Sequence, residues 1–102
     1  MIVHSVFLRF KSAVATAEKQ AIYEAIADLQ AKIAGIVSVT SGQNVSPEGL
    51  NGGFLDGFIV TFESVEARDA YLVDPDHVAV GDRIVALTDG GLAGILVFDM
   101  AA

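Results

Sequence analysis

The sequence predicts an α+β sandwich in which helices cover one face of a single sheet, and three observations carry that reading. Residues 2–11, "IVHSVFLRFK", alternate apolar and polar as a strand does. Ile22, Ile26, Leu29 and Ile33 recur at helical spacing. The alternation returns in "FLDGFIVTFE" and is followed by "SVEARDAYLVDPDHVAVGD", where Ser and Pro mark two helix starts.

Each element follows in order. In the first strand Ile2, His4, Val6, Leu8 and Phe10 share one face, and Val3, Ser5, Phe7, Arg9 and Lys11 share the other. Thr16 is placed to cap an amphipathic helix over residues 17–33, which Gly35 ends. "IVSVTSGQNV" is rich in β-branched residues and reads as a second strand; "SPEGLNGG" reads as a loop. In the third strand Phe54, Asp56, Phe58, Val60 and Phe62 share a face. Ser64 caps the short helix "VEARDAYLV", which stops before Pro75 because the residue preceding a proline is pushed out of the helical region. A further helix runs from Pro75 to Leu87, with its proline tolerated in the first turn. "DGG" ends it, and "LAGILVFDM" is a nearly all-apolar closing strand. The order is βαββαβ, the ferredoxin-like sandwich with an antiparallel four-stranded sheet and the first strand beside the third. Helices then cover one face, and the face carrying Val3 and Phe7 is left open.

Composition narrows the function classes. A chain of 102 residues is expected to form one domain, residues 1–102. It is 53% hydrophobic, with a mean hydropathy of +0.55, more apolar surface than a small body readily buries. No run of about 18 apolar residues offers a membrane span, so the excess is expected at an interface between two copies. A net charge of −7, with Arg9, Lys11, Lys19, Lys32, Arg68 and Arg83 scattered, argues against nucleic acid and anionic membranes as partners. The absence of cysteine removes disulfides, thiolate metal sites and thiol nucleophiles and fits a cytoplasmic protein. "MIVHSVFLRF" lacks the layout of a signal peptide and reads as mature structure.

The chemistry concentrates in "YLVDPDHVAV". Tyr71 ends one short helix and His77 opens the next, with a turn at Pro75 between them. An imidazole can take a proton while a phenol holds the oxygen that becomes negative. Spacing alone favours plain packing roles for both. His4 stands on the apolar face of the first strand, as a lone core histidine would. Asp56 stands among phenylalanines and needs an account, because a buried carboxylate without a partner is costly. It either pairs with His4 across neighbouring strands or lies at a strand end in water. Two histidines without cysteine do not build a metal site, and the aspartates match no calcium loop, so neither metal nor cofactor is expected.

At "HSVFLRFK", "VTFESVEARDAYLVDPDHVAVGD" and "ILVFDM" the chain resembles the stress-responsive dimeric A/B-barrel family over nearly its whole length. The Phe-Glu-Ser strand end followed by Tyr, Pro and His at this spacing is the specific part. The resemblance implies a homodimer, two sheets packed face to face into a dimeric α/β barrel, with a small pocket in each protomer between sheet and helices. The family includes a plant polyketide cyclase that closes a ring by intramolecular aldol condensation. Its working tyrosine and histidine match Tyr71 and His77, and its strand-one histidine matches His4. Val6, Leu8, Asp56 and Phe58 would line the same pocket. The resemblance thus implies a cofactor-free lyase or cyclase acting on a β-carbonyl compound. The alternative is a non-catalytic dimer that holds a small apolar or aromatic ligand or serves a stress role. Asp56 departs from the cyclase-like pattern, where an imidazole is expected on the third strand, and would change the charge of the pocket.

Overall fold

The structure is a computed structural model that describes all residues, 1–102. Seven regular elements follow the expected order: β1 (Ile2–Leu8), α1 (Thr16–Lys32), β2 (Ile36–Gln43), β3 (Asp56–Phe62), α2 (Val65–Val73), α3 (Pro75–Leu87) and β4 (Ile95–Ala101). The sheet is antiparallel, with strand order β2-β3-β1-β4, so the first strand does lie beside the third.

Local chemistry sets the boundaries. Ser64 Oγ accepts from the Ala67 N–H at 3.1 Å and starts α2 as expected. Asp74 closes α2 and caps α3 through the Asp76 N–H at 2.9 Å, and Pro75 occupies the first turn of α3. Three expectations shift. Thr16 is already helical, and the chain turns in at Ala15, whose N–H donates to the Glu18 carboxylate at 3.1 Å. Phe54 lies before β3, where its N–H bonds the Asn51 carbonyl and Arg9 sits over its ring. Leu92 and Gly94 belong to a short 3-10 turn, Gly91–Gly94, rather than to β4. Gly35 ends α1 with a φ of 91°, and a Cβ there would meet the Ala67 Cβ at 2.5 Å, so glycine serves both the turn and the close approach of α2.

The core lies between the sheet and the helices. Val6, Leu8, Phe58, Val60 and Phe62 from the strands pack against Ile22, Ile26 and Leu29 of α1 and Val80 and Ile84 of α3. No helix covers the opposite sheet face. There Phe7 and Ile59 stand beside Leu96, Phe98 and Met100, with Phe98 55% and Met100 54% exposed. No helix is long and apolar enough to cross a membrane.

Candidate functional site

The helix-facing side of β1 carries one imidazole, and β4 supplies its partner. His4 is directly opposite Asp99 in the β1–β4 pairing, and His4 Nδ1 lies 2.7 Å from Asp99 Oδ1. The second carboxylate oxygen accepts from Arg68 Nη1 of α2 at 2.8 Å. Burial pushes the Asp99 carboxyl up, but hydrogen bonds from Arg68 and His4 outweigh it and hold the group below the usual carboxylate range. Asp99 is therefore an acceptor only, and His4 must present Nδ1–H to it.

Three residues beyond Arg68, α2 places Tyr71 in the interior, 0% exposed. Its ring packs at 4.8 Å from Phe62, 5.9 Å from His4 and 4.0 Å from His77 at the start of α3. The Pro75 turn thus brings the phenol and the imidazole of "YLVDPDHVAV" together. The Tyr71 hydroxyl is buried with no protein hydrogen-bond partner, and His77 Nδ1 is buried with no well-formed one, the Leu72 carbonyl being the backbone acceptor near that ring. Burial pushes the Tyr71 phenol well above its usual range, so it stays a donor. Burial likewise lowers the His77 imidazole; the Leu72 carbonyl near the ring and the Asp74 charge pull the other way but do not outweigh burial and the nearby His4. His77 is then uncharged at neutral pH and able to accept a proton.

Asp56 lies apart from this cluster. Leu8, not His4, is its cross-strand neighbour on β1, and His4 faces Val60. Neither expected account of Asp56 holds: it is 5% exposed, so it is not a strand end in water, and it does not pair with His4. Tyr23 donates to Asp56 Oδ1 at 3.0 Å, and Lys19 donates to Oδ2 at 3.2 Å, both from α1. Burial, then the Asp56 charge, raises the Tyr23 phenol, which remains protonated and donating. Asp56 is thus an interior anion with both oxygens satisfied.

The remaining expected pocket residues, Val6, Leu8 and Phe58, are core side chains on the same sheet face as His4. Two concavities of about 370 and 470 Å3 open at the Asp56 end. The first is bordered by Phe7, Phe54, Phe58 and Ile59, the second by Thr16, Lys19, Gln20 and Tyr23. Sequence reading missed Asp99, Arg68, Tyr23 and Lys19. For Asp99 a signal was present, because Ile95, Val97 and Asp99 alternate onto one face of the closing strand.

The comparisons with known proteins agree with this architecture. The family model described as the stress-responsive A/B barrel domain matches residues 2–102. Olivetolic acid cyclase from Cannabis sativa is 32% identical over 79 residues, 78% of each chain. A dimeric ferredoxin-like protein of unknown function from Jannaschia sp. CCS1 superposes with a TM-score of 0.91 at 29% identity, covering 99% of this chain and 98% of the other. A protein from Arabidopsis thaliana gives the same TM-score at 27% identity, covering 100% and 95%. With a family match across nearly every residue and a ferredoxin-like fold that carries it, the chain belongs to the stress-responsive A/B barrel domain family.

Proposed function

We propose that the protein is a lyase or cyclase that forms an enolate from a β-carbonyl compound at the Tyr71–His77 corner. The observation that carries the reading is the buried, unpartnered Tyr71 hydroxyl on a ring whose centroid lies 4.0 Å from that of half-buried His77, whose Nδ1 has no well-formed hydrogen bond. Leaving a buried polar group unpaired costs about 1–3 kcal/mol. Two such groups side by side suit a substrate oxygen and a substrate proton. The relation to olivetolic acid cyclase supports the choice of reaction.

The chemistry needs only proton transfer. Neutral His77 takes the proton from the carbon between two carbonyls. The C–H electron pair moves into the carbonyl, and the enolate oxygen accepts a hydrogen bond from Tyr71. The enolate carbon attacks a second carbonyl of the same molecule, and protonated His77 returns its proton to the alkoxide that forms. His4, tied to Asp99, forms a wall of the site. Deuterium exchange into a β-ketoester in heavy water reads the first step. His77→Ala is expected to slow exchange about 10²- to 10⁴-fold, the range of a positioned general base. Equal exchange in wild type and variant rules the assignment out.

One observation favours a second reading. Tyr71 is fully enclosed, and the two concavities described above lie at the other end of the sandwich. A non-catalytic protein that holds a small apolar ligand fits that arrangement, and it predicts ligand binding that survives His77→Ala.

Both readings include a homodimer. The open sheet face with Phe7, Leu96, Phe98 and Met100 supplies the apolar surface, and the Jannaschia relative is dimeric. Phe7→Lys is expected to shift sedimentation from dimer toward monomer or aggregate. An unperturbed dimer moves the interface elsewhere.

A further inference from the structure

Arg68 is the one cation that reaches the histidine cluster, and its geometry is specific. Its guanidinium spans two carboxylates: Nε donates to Asp69 at 2.9 Å on its own helix, and Nη1 donates to Asp99 Oδ2 at 2.8 Å across on β4. The planar fork fixes both distances at once, which a lysine ammonium cannot do. Asp99 uses its other oxygen for His4 Nδ1. The Asp99 side chain is 24% exposed, so without a second partner the carboxylate is free to rotate toward solvent.

We propose that Arg68 is a positioning residue that acts through Asp99 to hold His4 as its Nδ1–H tautomer, so that Nε2 is the lone-pair nitrogen offered to the site. The same helix that delivers Tyr71 delivers the cation that orients the imidazole opposite it. Two consequences follow for the site. His4 Nε2 becomes an acceptor for an enol or hydroxyl hydrogen of the substrate, where the other tautomer would present a donor. The Arg68 charge also cancels that of Asp99, and an enolate forming beside an uncompensated carboxylate would be opposed by like charge. These consequences rest on the enolate reading; the tautomer does not. A purely mechanical role, docking α2 on the sheet, is the competing account. It predicts disturbance of Tyr71 packing with no change of tautomer. The groups around His4 are Asp99 on β4, Arg68 and Tyr71 on α2, Phe62 on β3 and His77 on α3.

Only two imidazoles are present, so long-range ¹H–¹⁵N correlation spectra of labelled protein at about pH 8, well above the ordinary histidine value of about 6.5, read each tautomer directly. Wild type is expected to show His4 as Nδ1–H alone. Arg68→Gln and Arg68→Met, whichever folds better, are expected to convert it to a mixture containing Nε2–H. Asp69→Asn should leave the wild-type pattern, and Arg68→Lys, which keeps a cation near Asp99 but loses the fork, should recover only part of it. A His4 tautomer unchanged in the Arg68 variants overturns the proposal, as does Nε2–H in wild type. Deuterium exchange separates the two ideas. Exchange in wild type with an unresponsive tautomer sinks the positioning role alone. A responsive tautomer without exchange sinks the enolate reading alone.

Discussion

Two polar clusters are buried on the same side of the same sheet, and they are built to opposite rules. At one end Asp56 has both carboxylate oxygens satisfied, by Tyr23 and Lys19. At the other end Asp99 is also fully paired, yet the Tyr71 hydroxyl has no protein partner and His77 Nδ1 no well-formed one. The four-residue offset from the Asp56–Leu8 pair to the Val60–His4 pair puts the ends about 14 Å apart along the strands, at roughly 3.4 Å per residue. Both contain a buried tyrosine. Tyr23 gives its hydrogen bond to the protein, whereas Tyr71 holds its own in reserve. A satisfied network stabilises and fixes a core, and an unsatisfied one costs stability that only an external partner recovers. The contrast is what the proposed assignment of chemistry to the Tyr71 end rests on.

Substitutions can break this comparison. The largest effect is expected from Asp56→Ala, which strands the Tyr23 hydroxyl and removes the partner of Lys19. A loss of about 3 kcal/mol in chemical denaturation is expected, at the lower end for a broken buried pair because Lys19 can carry its ammonium to solvent. Tyr23→Phe removes one donor from the Asp56 carboxylate and is expected to cost about 2 kcal/mol. Tyr71→Phe, chemically the same change, is expected to have the opposite sign. It deletes an unpaired buried hydroxyl and should raise stability by about 1 kcal/mol while slowing deuterium exchange. If the two tyrosine variants destabilise equally, the difference between the ends is not real.

The smallest effect is in the pH dependence, and it sharpens the assignment of His77. Burial places the folded His77 below its unfolded value of about 6.5. Its contribution is intact above that pH. As pH falls from about 6.5 to the lower folded value, the unfolded chain binds more protons and stability declines. Asp99 is also depressed, so its contribution is present above the unfolded carboxylate value of about 3.9 and is lost as pH falls through its lower folded value. Denaturation curves across pH should thus show two separate declines, and His77→Gln should erase only the upper one. The deuterium-exchange rate should rise through a midpoint below about 6.5 and then level off. A midpoint at or above the free-imidazole value removes burial from the account of His77.

The elements were written in local pattern. Alternation placed β1 and β3, the Ser64 and Pro75 signals placed α2 and α3, and each survives because caps and prolines act within a few residues. Where tertiary contacts compete with propensity, the boundaries moved: Phe54 left its strand for the Arg9 stack, and Leu92 was taken into the 3-10 turn before β4. The Tyr71–His77 pairing was also legible, because both residues flank one turn. The partners of the charged groups were not. His4 and Asp56 share a face in the alternation pattern, and the pattern is blind to which residue stands opposite which.

The sequence by itself determined the order of elements, the open apolar face and the neighbourhood of Tyr71 and His77, since each depends on periodicity or on a single turn. Only the tertiary structure decided that His4 answers to Asp99 and Arg68, and that Asp56 answers to Tyr23 and Lys19. The physical reason is register. Sliding one strand past its neighbour by two residues keeps every side chain on its face but gives every charge a different partner. What fixes the register is the packing of the whole core, which no local stretch of the chain contains.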